Sequence, residues 1–317
     1  MATNQTMWSV LLHLGTNMWN EEGNLRGRGE HRSNRCASPV LRFERPLWDE
    51  NILKLKAAGA NALIIDVGEA LFYESHPELA VKGSFNHDEM RTEVERLKAM
   101  GFEVIPKLNF SACHDIWLKE YSWMLSTPIY YQVCKDVIRE VAEVFKPKYF
   151  HIGMDEETAD HQRNFNVAVI RQHEQWWKDF YFLVNEVEKY NARPWIWSDY
   201  MWHHEEEFLA KMPKSVIQSN WYYSPDFKDI PAGDFRNIRL SCFDKMDKAG
   251  FDQVPTGSTF SSKDNFEGLV RYSMEHISPE RTMGFMHTTW ERVTEGWLHH
   301  HETCAENIKE AIKIYNK

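Results

Sequence analysis

Eight short apolar runs, each of strand length and each followed by a longer polar or amphipathic stretch, constrain this chain more than any other feature. They cover residues 9–15, 61–67, 102–109, 149–154, 194–199, 216–221, 252–257 and 283–289. Between them, apolar residues recur at helical spacing over residues 48–58, 88–100, 130–145, 166–190 and 265–276. Strands that alternate with amphipathic helices must pair in parallel, because each helix carries the chain back to the start of the next strand. Eight such units predict an α/β fold closed into a single (β/α)8 TIM barrel, and 317 residues suit one domain of that kind, which typically needs about 250. The expected domain is residues 1–317, with no internal linker.

In such a barrel one face is structural and the other carries chemistry. Ala58-Gly59-Ala60 and Met100-Gly101-Phe102 place a glycine just past a helix, where a left-handed residue ends it, and so mark the structural face. The strand ends at the opposite face are polar and aromatic: Asp66, Asn109, Asp155, Glu156, Asp199, Trp221, Trp290 and Glu291. Residues 20–45, rich in Gly, Arg, Asn and Ser, form a long connection after the first strand, which we expect to cover the cleft.

Charge narrows the partner. The formal net charge is −10 and no run of Lys or Arg is present to track phosphates, which excludes nucleic acid as the expected partner. Thirteen Trp and twelve Tyr exceed what a core needs, and indole and phenol rings offer flat apolar faces suited to sugar rings. A neutral ligand fits this composition better, with no cofactor and no metal expected. His299-His300-His301 carries three imidazoles, but adjacent side chains do not converge on an ion, so these read as surface residues. Cys36, Cys113, Cys134, Cys242 and Cys304 are scattered and odd in number, and read as reduced thiols. Trp8-Ser9-Val10-Leu11-Leu12 is too short for a membrane span or signal core, and no basic segment precedes it. The expected location is cytoplasmic, or secreted or periplasmic if a leader precedes this sequence. The oligomeric state is not legible.

The chemistry concentrates in His151-Ile152-Gly153-Met154-Asp155-Glu156, where a buried strand ends in adjacent carboxylates. The same composition suits a strand followed by an acidic first helical turn. In a cleft, neighbouring carboxyls take different pKa values and divide acid and base roles. This block resembles the His-x-Gly-Gly-Asp-Glu signature on strand four of the family 20 glycoside hydrolases, the β-N-acetylhexosaminidases. Val104-Ile105-Pro106-Lys107-Leu108-Asn109 followed by His114 is similar to that family's strand-three motif. Trp195-Ile196-Trp197-Ser198-Asp199 resembles its strand-five Trp-x-Asp, Val216 to Trp221 its strand-six motif, and Thr289-Trp290-Glu291 its closing Trp-x-Glu. There are departures. Met154 replaces a glycine, Lys107 and Asn109 stand where carboxylates are usual, and the strand-one Arg and strand-two His-x-Thr-Asp-Asp have no clear match. The Tyr expected after strand seven is absent from Thr256-Gly257-Ser258-Thr259-Phe260.

The resemblance implies a retaining, substrate-assisted glycosidase, in which the nucleophile belongs to the sugar. Carried over, Glu156 is the general acid, with a pKa raised by burial and a neighbouring anion, and Asp155 orients the acetamido group and offsets the oxazolinium charge. Trp195, Trp197, Trp221 and Trp290 wall the sugar of a small carbohydrate or glycoconjugate substrate, Glu291 accepts from its hydroxyls, Asp199 and Asn109 join the substrate-binding set, and His114 and His151 stand beside it as supporting residues. Tyr222 or Tyr223 replaces the missing acetamide contact. Two other readings stay open: a glycosidase for a non-acetylated sugar, with a second carboxylate such as Asp66, Glu69 or Glu291 as nucleophile, and an inactive carbohydrate-binding barrel. A metal-dependent hydrolase ranks last, since His13-Leu14-Gly15 lacks the His-x-His such barrels use.

Overall fold

The structure is a computed structural model that describes residues 6–23, 35–163 and 165–317. Its strands are β1 (Met7–His13), β2 (Ala62–Asp66), β3 (Glu103–Lys107), β4 (Tyr149–His151), β5 (Arg193–Trp197), β6 (Ile217–Ser219), β7 (Thr256–Ser258) and β8 (Gly284–Arg292). All pair in parallel in the order β6-β5-β4-β3-β2-β1-β8-β7. Single bridges, Gln218 to Gln253 and Trp221 to Thr256, bring the two ends together and nearly close the barrel. The helices are α1 (Arg45–Ala58), α2 (His87–Ala99), α3 (Pro128–Phe145), α4 (Glu174–Glu188), α5 (Glu205–Lys211), α6 (Phe235–Lys248), α7 (Asn265–His276) and α8 (Leu298–Tyr315). The expected alternation of eight strands and eight helices holds.

Local chemistry explains the boundaries. Gly59 closes α1 in the left-handed region at φ 99°, and α2 opens on a reciprocal capping box, with Asn86 accepting from Glu89 N and the Glu89 carboxylate accepting from Asn86 N. The fourth strand is shorter than the apolar run because residues 152–156 leave the ladder to form the rim. Helix α4 begins at Glu174, not at 166, because Arg171 is buried against Glu157, Asp179 and the Phe110 carbonyl and pins the preceding segment to the barrel top. The seventh strand starts later than the apolar pattern predicts; Pro255 cannot donate to a ladder.

Register brings one row of strand ends together. His13 pairs laterally with Asp66, Asp66 with Lys107, Lys107 with His151, and His151 with Trp195. Side chains level on adjacent strands share a face, and here they meet inside the barrel. Lys107 Nζ donates to Asp66 Oδ1 at 2.5 Å, His13 Nδ1 lies 2.7 Å from Asp66 Oδ2, and the His151 ring packs on Trp195 at 5.5 Å. This buried layer is the platform on which the rim residues stand.

Candidate active site

Loops beyond β3, β4, β5, β6 and β8 gather a carboxylate–imidazole cluster at the C-terminal end of the barrel. The chain leaves β4 through Gly153 at φ 73°, and a Cβ there would lie 2.0 Å from Asn109 Oδ1, so only glycine lets the strand pass so close to its neighbour. Met154 and Glu156 also take positive φ, 73° and 55°, as does Trp290 at 57°. Non-glycine residues occupy this region at a cost on the order of 1 kcal/mol or more, and such outliers gather at functional sites.

The turn aims Asp155 inward and Glu156 to its side; their side chains are 7% and 27% exposed. Asp155 Oδ1 accepts from Asn109 Nδ2 at 3.0 Å, while His114 Nε2 lies 3.3 Å from both Asp155 Oδ2 and Glu156 Oε2. His161 Nε2 stands 3.4 Å from Glu156 Oε1. Asp199 Oδ2 accepts the Glu156 backbone N–H at 2.8 Å, and Oδ1 accepts from the Trp221 indole at 3.3 Å.

Charge in this cluster runs opposite to one expectation. Burial alone would lower the His114 pKa, but the charges of Asp155 and Glu156 and hydrogen bonds to both outweigh it and raise it to about 10. Burial would likewise raise Glu156, yet hydrogen bonds from His114 and His161 and their charge pull it below the usual carboxylate range. The expectation of a raised Glu156 pKa is therefore corrected for the unliganded site: Glu156 rests as an anion between two imidazoles. Asp155 is lowered too, burial again yielding to His114. The carboxyl that rises is Asp199, to about 7, through burial and the neighbouring Asp155 charge.

Asp199 thus makes stability depend on pH. Its folded pKa lies above the unfolded value, so its contribution is complete below about pH 4 and is lost as the pH rises through 7. Asp199→Asn is expected to flatten the fall in stability between about pH 4 and 7 in urea unfolding; the same slope in both proteins would contradict this reading of Asp199.

A cavity of about 280 Å³ opens above the cluster, near the lower end of small-molecule sites. Of the residues expected there, Asp155, Glu156, His114, Trp221 and Trp290 line it. Asn109 and Asp199 lie just behind, holding Asp155 and the Glu156 backbone. Trp195 and Trp197 do not wall it. Both are wholly buried in the barrel, Trp195 donating to Ser219 Oγ at 2.7 Å and Trp197 packing between His151 at 4.7 Å and Trp290 at 5.8 Å. His151 is a buried neutral imidazole, its pKa lowered by burial and by Lys107, and its Nδ1 accepts from Gly153 N at 3.0 Å, so it shapes the turn rather than touching the acids. Tyr222 turns outward to the Asp226 carbonyl, and Tyr223 takes the cavity wall with a buried hydroxyl that has no partner among the described residues. Glu291 sits outside the lining, 3.8 Å from Arg35, which is part of it.

The proposed alternative nucleophiles are spoken for. Asp66 is held by Lys107 and His13 below the cavity, and Glu69 lines a different cleft, accepting from the backbone of Thr16 and Asn17. Trp19, Arg35, Cys113, His161 and Phe260 complete the lining, none of them expected there from the sequence. Arg35 belongs to the long connection 20–45, and its guanidinium covers Trp19 at 5.0 Å and Phe260 at 5.5 Å; residues 24–34, the heart of the expected cover, lie outside the described residues.

Among the described residues, two trios of metal-ligand types have atoms within 4.8 Å, His114, Asp155 and Glu156, and His173, His204 and Glu207. In the first, His114 Nε2 is shared between the two carboxylates at 3.3 Å. In the second, Glu207 already pairs with Lys211 at 2.9 Å. His301 corrects the expectation of surface histidines, being buried and bonded to the Arg292 carbonyl at 2.9 Å. All five cysteines are buried, and Cys113, Cys134, Cys242 and Cys304 are free thiols.

A (β/α)8 barrel with an acid pair clamped by histidines beneath aromatic walls is the class of protein these features define. Comparison with solved structures places the fold among glycoside hydrolase family 20 barrels. A chitobiase from Flavobacterium johnsoniae is 17% identical with a TM-score of 0.61, over 93% of this chain and 50% of that one. An exo-β-N-acetylglucosaminidase from Vibrio harveyi, solved with N-acetylglucosamine, is 12% identical with a TM-score of 0.63, over 98% of this chain and 56% of that one. A β-N-acetylhexosaminidase from Streptomyces coelicolor is 13% identical with a TM-score of 0.59, over 96% and 64%. Among curated proteins, a beta-hexosaminidase from Emericella nidulans is 20% identical over 231 residues, 59% of this chain and 35% of that protein. The chain thus spans about a third of that relative's length. No protein-family model matches it.

Proposed function

We propose that this chain is a glycoside hydrolase of the β-N-acetylhexosaminidase type, exo-acting and retaining, with the substrate's acetamide as nucleophile. The observation that carries this is the position of Asp155 and Glu156, adjacent in sequence and both 3.3 Å from His114, at the floor of a cavity walled by Trp221, Trp290 and Tyr223. Carboxyls fixed on one turn suit one acid and one acetamide-orienting anion, rather than an acid and a nucleophile facing each other across the sugar. The reaction needs Glu156 protonated and Asp155 charged. His114, its pKa raised by the two carboxylates and its Nε2 within 3.3 Å of Glu156, would supply that proton. A bound sugar that displaces water favours its transfer, because a neutral pair is easier to bury than two ions. Glu156 then protonates the leaving oxygen while the acetamide oxygen attacks the anomeric carbon. Asp155 accepts the acetamide N–H and offsets the cationic ring that forms. In the second half, Glu156 as carboxylate draws the proton from water. The Tyr223 hydroxyl, on the cavity wall, would donate to the acetamide oxygen.

Hydrolysis of aryl β-N-acetylglucosaminides and galactosaminides, together with tight inhibition by a thiazoline mimic of the cyclic intermediate, is the expected result. Tyr223→Phe is expected to weaken the thiazoline about tenfold, the size of one hydrogen bond to a charged group. Turnover of non-acetylated aryl glycosides alone, without thiazoline inhibition, would replace this reading with a two-carboxylate mechanism. Binding of N-acetylhexosamines without turnover would leave an inactive carbohydrate-binding barrel.

A further inference from the structure

Glu156 stands between two cavities. The first is the sugar pocket; the second, of about 400 Å³, lies on the other side of the same carboxylate and shares Glu156, His161 and Trp221 with it. A general acid touches the oxygen that joins sugar to leaving group, so a sugar in the first cavity directs its leaving group into the second. That second cavity is lined by Arg239, on α6. Its guanidinium is stacked in an aromatic cradle, 4.1 Å from the Trp202 ring centroid, 4.6 Å from Trp221 and 5.0 Å from Phe235. The backbone of Arg239 is fixed as well, since its carbonyl accepts from Asn220 Nδ2 at 2.7 Å while Asn220 Oδ1 accepts from the Trp202 indole at 2.9 Å.

The cradle holds the cation without neutralising it. Among the described residues no carboxylate lies within 4 Å of the Arg239 guanidinium, and its Nε is buried without a hydrogen-bond partner. The cavity's other arginine, Arg171, is saturated by Glu157 and Asp179. The guanidinium is half-buried and feels the charges of Asp199 and Glu156 at a distance, but no carboxylate is in contact with its donors, and that fork of donors matches a planar or tetrahedral oxyanion. We propose that this cavity is the leaving-group site and that Arg239 selects a leaving group bearing an oxyanion, a carboxylate as in a uronic acid or a sulfate ester. An anion bound there also helps the chemistry: negative charge near Glu156 favours its protonated form, the form that donates. This inference rests on the proposed hydrolase activity, and its test separates the two.

Three aryl β-N-acetylglucosaminides would be compared, with the phenol carrying a sulfonate, a carboxylate or a neutral carboxamide. The expected result is a kcat/KM about tenfold or more higher for an anionic phenol than for the carboxamide, with the ratio collapsing in Arg239→Met and partly kept in Arg239→Lys. The order of sulfonate and carboxylate tells which oxyanion is preferred. A ratio near one in the wild type, or a ratio that Arg239→Met leaves unchanged, would overturn the proposal. Equilibrium binding of free 4-hydroxybenzenesulfonate, measured by calorimetry, reads the cavity without turnover; binding weakened about tenfold in Arg239→Met supports it, and equal or undetectable binding in both proteins overturns it. Should no aryl glycoside be hydrolysed, the activity reading fails while this binding measurement still decides the site. Arg239→Gln serves if the methionine variant does not fold.

Discussion

Glu156→Gln is expected to lower kcat/KM for an aryl β-N-acetylglucosaminide by about two to four orders of magnitude, the range typical of lost general acid–base catalysis and equal to roughly 3–5 kcal/mol of barrier. Glutamine keeps the shape of the side chain, so folding is not the variable. The loss should be graded. A phenol of low pKa leaves with little protonation, whereas a poor leaving group depends on it, so the dependence of rate on leaving-group pKa should steepen in the variant. Asp155→Asn gives a different signature. It removes the charge opposite the developing oxazolinium, an electrostatic loss of about two to three orders of magnitude, and leaves the leaving-group dependence as it was. A Glu156→Gln enzyme with wild-type rates on poor leaving groups would dismiss Glu156 as the acid.

The resting charges explain why these two acids do not exchange roles. Asp155 is the more buried and takes an amide donor from Asn109 besides His114, so its anion is held by fixed dipoles that survive substrate entry. Glu156 depends on two imidazoles, one of them, His161, with a side chain 41% exposed, and a ligand can disturb that support. The departures from the family pattern on β3 fit this division. An amide at position 109 leaves Asp155 without a third negative neighbour on that strand, and Lys107 adds positive charge beneath it.

Much of the barrel was legible in the sequence because burial writes itself into pattern. Val104 and Ile105, or Leu63 to Ile65, are apolar on both faces and flanked by helical periodicity, and glycine marks helix ends such as Gly59. Rim residues are harder. The Asp155-Glu156 pair was visible because acids at the end of an apolar run are unusual. Trp195 and Trp197 were legible as tryptophans but not as floor, since a barrel interior and a pocket wall ask for the same residue type. The face taken by Tyr223 rather than Tyr222 depends on how the chain leaves the sheet after its bridge from Trp221 to Thr256, which no pattern encodes. His161 and Arg239 were missed for a plainer reason. Each lies in a segment of ordinary polar composition, and only the closure of the barrel brings them to Glu156.

The second large effect is expected far from any substrate. Lys107→Met should destabilise the fold by about 3–5 kcal/mol, because it leaves Asp66 as a buried carboxylate with only a neutral imidazole beside it. Lys107 and Asp66 are 0% and 2% exposed, so water cannot take the place of the lost ammonium. At about 2–4 °C per kcal/mol for a large domain, the melting temperature should fall by on the order of 10 °C. The pH dependence fixes the cause. In the wild type Asp66 is held below its ordinary pKa, burial being outweighed by Lys107 and His13, so its contribution is present above about pH 4 and lost on acidification. Without Lys107 the pKa rises above the unfolded value and the sign reverses, so the variant's deficit should shrink towards pH 4 and widen towards pH 7. Adding Asp66→Asn removes the stranded charge and should restore most of the stability. A double variant as unstable as the sum of its parts would show that Lys107 acts through packing alone. The same experiment reaches the active site, because His13, held by Asp66, stacks under Trp290 at 5.5 Å. A platform that loosens should raise KM for the sugar before it alters the chemistry of Glu156.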